Sequence, residues 1–149
     1  MSVRKTHRRL DRTRARAWAL QVHYRWDVGW DAADERRTLP DALDEVMSTR
    51  RIAPARVPYL RRLVSALHDH GAEVDDLLSA ALDNWRLERL SLLDRGVLRI
   101  AAIEITHFDD VPPKVSIQEA VRLAERYGGI DSPGFVNGVL DALYKQVMD

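Results

Sequence analysis

Residues 92–108, LLDRGVLRIAAIEITHF, place apolar side chains on nearly every side of a helix. Ser91 precedes this segment and Asp94 stands three residues later, a pairing close to a capping box that favours a helix start. A helix with so little polar surface is stable only where other elements cover most of it. We therefore predict that this segment is the central helix of an all-α protein.

Apolar residues recur at helical spacing in most of the remaining chain, and no alternating run convincingly predicts a strand. The predicted count is about seven helices, because Gly71 divides or bends the long apolar stripe that runs from Tyr59 to Trp85. The predicted helices span residues 11–28, 40–50, 59–85 and 92–108, with two more beginning at Ser116 and Pro133. Residues 1–10 are predicted to be a basic, mobile tail.

The last two helix starts are predicted from capping residues. Ser116 with Glu119 matches a full capping box, and Ser132 with Pro133 matches the usual order of N-cap and first helical residue. The glycines at 128–129 are predicted to end the helix between them.

Length and composition set the class of protein. A chain of 149 residues is predicted to form one domain with its own core. It has no cysteine, which excludes disulfides, thiolate metal sites and cysteine nucleophiles. The sequence has no apolar run of membrane-spanning length and no secretory signal, so we expect a cytoplasmic protein that does not engage membranes.

Charge is concentrated at the start of the chain. The first sixteen residues hold seven of the 23 basic side chains and one of the 23 acidic ones, so their formal charge is +6 and that of the remainder is −6. Basic residues in the first turn of a helix oppose the helix dipole, so a merely solvated surface is the less favoured interpretation. The cluster favours phosphate binding, without distinguishing DNA from RNA.

The first predicted helix has two opposed apolar faces separated by polar seams when its residues are projected at 100° each. These seams are Arg12, Arg16 and His23 on one side, and Arg14, Gln21 and Arg25 on the other. Such a helix is either covered on both apolar faces, or covered on one while the other is offered to a partner.

Catalytic and metal-binding patterns are weak. Glu104 and His107 form a single E-x-x-H pair, whereas carboxylate-bridged metal sites in bundles need two. His68 and His70 point apart on a helix. The glycine-rich residues 128–134 lack the lysine and spacing of a phosphate-binding loop, and Ser132 lacks a nucleophile elbow. We predict no metal, no cofactor and no enzymatic activity.

Four ordered motifs resemble the NusB transcription antitermination family. They are RAR at 14–16 followed by ALQ at 19–21 with Tyr24 and Trp26, DRGVLRIA at 94–101, DVPPKV at 110–115 followed by Glu119 and Ala120, and DSPGFVNGVLD at 131–141. Residues 29–84 match only in helical pattern. Thr13 interrupts the arginine run that is often denser in the family, and Gly134 stands where a bulkier or basic residue is common.

The resemblance implies a single RNA-binding helical domain built from two small packed helical bundles. It implies binding to the boxA element of nascent ribosomal RNA transcripts together with NusE, a ribosomal small-subunit protein, within the RNA polymerase elongation complex. The implied RNA contacts are Arg12, Arg14, Arg16, Gln21, Tyr24, Arg99, Lys114, Asp131 and Phe135. The implied NusE contacts are Glu88, Arg89 and Asp94.

One alternative from another class stays open. The chain could be a helical protein-interaction module, or a homodimer, with an incidental basic tail. The second apolar face of the first helix allows self-association without demanding it. Tyr24 and Phe135 could be base-stacking surfaces or core residues.

Overall fold

The structure is a computed structural model that describes residues 3–28 and 37–148. These residues form six α-helices: α1 Val3–Val28, α2 Leu39–Thr49, α3 Val57–Ala81, α4 Leu92–His107, α5 Pro113–Tyr127 and α6 Ser132–Met148. Two short 3-10 helices lie at Pro54–Arg56 and Leu87–Arg89. The described ranges contain no strand, and the all-α prediction is confirmed.

Helix α3 is bent at His70, whose backbone angles of φ −120° and ψ 16° are not helical. The bend lies beside Gly71, where the sequence predicted a division. With α3 counted as two segments, the prediction of about seven helices agrees with the structure.

The chain divides into two compact units, Met1–His68 and Asp69–Asp149. In the first unit α1 packs against α2. Its core includes the fully buried side chains of Val22, Ala42, Leu60 and Leu63. Thr38 caps α2 through a reciprocal pair of hydrogen bonds with Asp41, at 3.2 Å and 3.0 Å.

In the second unit α4 packs against both α5 and α6, which also pack against each other. Leu98 and Ile103 of α4 and Leu140 and Leu143 of α6 have no exposed surface. The Asp94 N–H donates to Ser91 Oγ at 3.1 Å. The predicted central helix and its serine cap are therefore confirmed, to within one residue at the C-terminal end.

The predicted start of the first helix is wrong. Helix α1 begins at Val3 rather than near Asp11, and the side chains of residues 3–10 are exposed. This segment contains neither glycine nor proline, and its arginines and lysine are favourable helix formers. Nothing in the sequence of this segment therefore prevents the helix from extending back to Val3.

The capping box predicted at Ser116 is also wrong. Helix α5 begins at Pro113, with Pro112 in the N-cap position and no side-chain cap, and Ser116 lies buried inside the helix. Proline at the first helical position has a preset φ and lacks the N–H that would need a cap. The prolines therefore start the helix earlier than the polar residues suggested. Helix α6, by contrast, begins within one residue of its predicted start.

Trp85 was predicted to continue the buried stripe of α3, but it is 59% exposed. The helix ends at Ala81, and the bend at residues 83–84 takes Trp85 off its buried face.

Within the described part of the chain, no helix has both the length and the apolarity needed to cross a membrane.

Candidate nucleic-acid interface

Three arginines of the first unit surround the ring of Tyr59 near the start of α3. The Cζ atoms lie 4.7 Å from the ring centroid for Arg12, 5.5 Å for Arg16 and 5.7 Å for Arg62. Guanidinium groups at these distances are attracted to the negative face of the ring. Tyr59 is only 8% exposed, so this arrangement joins α1 to α3 as well as concentrating positive charge.

Arg16 is the member of this cluster that is least available to a ligand. Its residue is 3% exposed, and His23 on the same predicted seam is completely buried. The structure therefore buries Arg16 and His23 and leaves Arg12 half-exposed, which makes Arg16 the less accessible of the two arginines of this seam. The hydrophobic pattern of α1 could not predict the burial of Arg16, because Arg16 packs near Tyr59, which belongs to another helix.

A basic groove of about 510 Å³ opens beside the cluster. Arg4, Arg8 and Arg12 of α1 line one side, and Arg62 of α3 lies on the other. Arg62 is exposed and was not among the predicted site residues. The adjacent pair Arg61 and Arg62 could have indicated a basic surface from the sequence alone. The groove extends the basic surface onto the part of α1 that was predicted to be a mobile tail.

The other seam of α1 is exposed. Arg14, Gln21 and Tyr24 all lie on the surface, and Tyr24 is 43% exposed. Helical spacing puts these three side chains on the same side of α1. We refer to Arg14, Gln21 and Tyr24 as the α1 face. It offers one cation, one amide and one aromatic ring, which are the group types that contact phosphates and unstacked bases.

Arg25, at the edge of this face, is held by an acidic residue of α2. Its Nε donates to Glu45 Oε2 at 3.0 Å, and Arg37 Nη2 donates to the same oxygen at 2.6 Å. The hydrogen bond from Arg25, together with the charges of both arginines, lowers the pKa of Glu45. The Arg25 contact joins α1 to α2, and the Arg37 contact joins α2 to the residue segment before it.

In the second unit, a groove of about 490 Å³ is lined by the α5–α6 loop, the start of α6, the start of α4 and the segment that precedes α4. Trp85 meets Phe135 edge to face, with ring centroids 6.2 Å apart. Phe135 is half-buried, while Ile130 is 97% exposed. We call this the aromatic groove; Trp85 and Ile130 were not predicted as site residues.

The aromatic groove brings together residues that the resemblance assigned to different partners. Asp131 and Phe135, expected to contact RNA, line it with Asp94, expected to contact NusE. The Oδ1 atom of Asp94 is buried and has no hydrogen-bond partner among the described residues. Ser132 stabilises the loop by accepting the Gly129 N–H at 3.0 Å.

The remaining predicted residues of this unit have different surroundings. Lys114 is exposed at the start of α5, and Glu88 and Arg89 are exposed on the 3-10 helix. Arg95 anchors that 3-10 helix by donating to the Glu88 carbonyl at 3.0 Å. Arg99 instead donates to both carboxylate oxygens of Asp75, so its guanidinium is committed to a contact inside the unit.

The fold and these surfaces define a helical binding protein with exposed basic and aromatic contact sites. The NusB family model matches residues 13–145. The transcription antitermination protein NusB of Geobacillus kaustophilus is 43% identical over 131 residues, covering 88% of this chain and 93% of the relative. That of Myxococcus xanthus is 37% identical over 130 residues, covering 87% and 91%. The chain therefore belongs to the NusB family and is a non-catalytic transcription antitermination protein.

Solved structures agree with this assignment. A structure of NusB from T. maritima has a TM-score of 0.76 at 32% identity and covers 91% of each chain. A crystal structure of the antitermination factors NusB and NusE in complex with dsRNA has a TM-score of 0.77 at 27% identity, covering 91% of this chain and 97% of that one.

Proposed function

We propose that this chain binds boxA-type RNA of nascent ribosomal RNA transcripts and joins NusE in the RNA polymerase elongation complex. Family membership supports the role, and the similar chain in complex with NusE and dsRNA supports the two partners. The observation that carries the RNA assignment is the α1 face, on which Arg14, Gln21 and Tyr24 are exposed together. Such a role would take place in the cytoplasm.

The chemistry of the α1 face suits a single strand. Arg14 supplies attraction to phosphate that weakens as salt rises. Tyr24 can stack on an unpaired base, and the Gln21 amide can both donate to and accept from base edges. The neighbouring basic groove, with Arg4, Arg8 and Arg62, would hold further phosphates.

We assign a second set of RNA contacts to Lys114, Asp131 and Phe135 in the other unit. Lys114 is an exposed cation and Phe135 presents part of its ring in the aromatic groove. Arg12 remains a candidate because it is half-exposed beside the basic groove. Arg16 and Arg99 are better explained as structural residues, since the first is buried and the second is paired with Asp75.

We assign NusE to the surface formed by Glu88, Arg89 and Asp94. The first two are exposed on a 3-10 helix that Arg95 ties to α4, so their positions are fixed by packing. Trp85 and Ile130 add exposed apolar area beside Asp94, and exposed apolar patches of this kind are typical of protein contacts.

The decisive experiment is a salt titration of RNA binding with the double variant Arg14→Ala/Tyr24→Ala. We expect weaker binding to boxA-like RNA, a shallower dependence on salt, and a smaller preference over scrambled RNA. Arg122→Ala is the matched control, because Arg122 is a similarly exposed arginine on α5. Unchanged RNA binding by a folded double variant would contradict the assignment of the α1 face.

Repeating the titration with purified NusE separates the two partners. Glu88→Ala/Arg89→Ala should weaken the gain in RNA affinity that NusE provides while leaving binding by the chain alone unchanged. If the variant lost RNA binding without NusE, these residues would belong to the RNA surface instead.

Self-association is a second candidate, favoured by exposed apolar residues along α1. Leu10 is 45% exposed and Val28 is 51% exposed, and both lie on the side of the helix that carries Tyr24. A homodimer using this side would cover the α1 face and compete with RNA. Light scattering across a concentration series, with and without RNA, tests this: RNA should dissociate such a dimer.

A further inference from the structure

The second unit contains a cluster of metal-binding side chains that the proposed function does not use. His70, Glu73 and His107 each offer one ligand atom, and all three atoms lie within 4.8 Å of one another. We propose that these residues form a binding site for Zn²⁺ that links the C-terminal part of α3 to the end of α4. This differs from the sequence-based expectation that the chain binds no metal.

The distances converge on the Glu73 carboxylate. Its Oε2 atom lies 3.4 Å from His107 Nε2 and 3.9 Å from His70 Nδ1. The two imidazole rings are stacked, with centroids 4.1 Å apart and an angle of 22° between their planes. Both rings therefore present a nitrogen toward the same carboxylate oxygen.

A hydrogen bond to Thr106 fixes the tautomer of His107. Thr106 Oγ1 lies 2.8 Å from the Ala102 carbonyl, to which it donates its only hydrogen, and 2.7 Å from His107 Nδ1. The hydroxyl oxygen must then accept from Nδ1–H. In the neutral ring, the lone pair is then on Nε2, the atom that faces Glu73. Most histidine ligands of metals are oriented by a hydrogen bond of this kind at the ring nitrogen that does not bind the metal.

His107 Nε2 and the Glu73 carboxylate oxygen face each other at 3.4 Å. A cation that both atoms share, either a proton on Nε2 or a metal ion, makes this approach favourable. A metal ion can also bind His70 Nδ1, which lies 3.9 Å from the same oxygen. The shared orientation of three ligand atoms is what distinguishes this cluster from an ordinary surface ion pair.

Two imidazoles and one carboxylate are a ligand set that zinc uses in open, three-residue sites, with water in the fourth position. Tetrahedral bonds of about 2.0–2.1 Å separate ligand atoms by roughly 3.3 Å, so the pair at 3.4 Å already fits. The other distances must shorten. His70 and Glu73 have side chains that are 44% and 59% exposed, and His70 lies at the bend of α3, so both can adjust.

Isothermal titration of ZnCl₂ into the tag-free full chain at neutral pH tests the site. We expect one saturable site and a rise in Tm, with MgCl₂ at the same concentration producing neither. His107→Ala and Glu73→Gln should each weaken zinc binding by about tenfold or more. His68→Ala is the matched control, because His68 is an exposed histidine on the same helix outside the cluster.

Co²⁺ provides a second readout. The wild-type chain and His68→Ala should develop the visible absorption of a four-coordinate cobalt site, and His107→Ala should not. Thr106→Val, which removes the orienting acceptor, should weaken zinc binding by about 10–100-fold and alter the cobalt spectrum while circular dichroism stays unchanged. The proposal is overturned if no saturable zinc binding occurs, if His107→Ala and Glu73→Gln bind zinc as well as wild type, or if Mg²⁺ raises Tm equally.

Discussion

Arg99 of α4 and Asp75 of α3 form a two-point ion pair, with 2.9 Å from Nε to Oδ1 and 3.0 Å from Nη2 to Oδ2. The arginine side chain is 16% exposed and the aspartate 36% exposed, so water screens the pair only in part. A guanidinium that is used in this way has fewer donors left for RNA. The pair therefore joins α4 to α3 within the second unit.

The first prediction concerns this pair. Arg99→Ala should lower the free energy of unfolding by about 1–3 kcal/mol, because it leaves the Asp75 carboxylate without a charged partner. RNA affinity, measured under conditions where the variant is folded, should stay close to wild type. Urea unfolding gives the first quantity and an RNA titration the second.

Lys114→Ala is the reciprocal control for that experiment. Lys114 is exposed at the start of α5, so its loss should weaken RNA binding and hardly change stability. A stable Arg99→Ala protein with strongly reduced RNA affinity would return Arg99 to the RNA surface.

The second prediction concerns acid stability. Because Arg25 and Arg37 lower the pKa of Glu45, this carboxylate stabilises the folded state at neutral pH, and the contribution is lost as pH falls through the folded-state pKa. Glu45→Gln should therefore be less stable than wild type at neutral pH, with the difference shrinking in acid. Thermal unfolding across a pH series measures this difference.

Asp44→Asn serves as the control, since Asp44 is an exposed carboxylate on the same helix. A Glu45→Gln protein whose deficit is constant from neutral to acidic pH would show that the two arginines do not act through the charge of Glu45.

The third prediction concerns the ring beneath the arginines. Tyr59→Leu should destabilise the chain by about 1–2 kcal/mol more than Tyr59→Phe, because phenylalanine keeps the ring face toward Arg12, Arg16 and Arg62 and leucine does not. Denaturant unfolding of both variants isolates the ring from the hydroxyl. Equal stabilities would mean that the three guanidinium groups gain nothing from the aromatic face.

The parts of the fold that could be predicted are those that depend on a single helix. The apolar surface of α4, its cap at Ser91 and the division of α3 near Gly71 follow from local spacing and backbone preferences. The start of α5 was misjudged because two local signals compete there. The prolines at 112–113 and the polar pair Ser116 and Glu119 both favour a helix start, and the prolines come first in the chain.

The parts of the site that escaped prediction depend on two helices at once. A projection of α1 shows where Arg16 points but cannot show that Tyr59 of α3 covers it. The E-x-x-H spacing of Glu104 and His107 describes α4 alone. In the structure, His107 lies near His70 and Glu73, which belong to α3. Such pairings require the packing of the helices to be known.

The last prediction concerns Trp85, which the structure moves from the expected core to the aromatic groove. Trp85→Ala should leave the free energy of unfolding within about 1 kcal/mol of wild type, because most of this side chain is exposed and its ring meets that of Phe135 only edge to face. The same variant should weaken assembly with NusE and RNA, since removing an exposed tryptophan takes away a large contact surface at low cost to the fold. Tyr127→Ala, at an exposed aromatic residue at the end of α5, is the control. Urea unfolding measures the stability of each variant, and RNA binding with and without NusE measures its assembly. A large loss of stability with intact assembly would mean that Trp85 supports the α5–α6 loop rather than a partner.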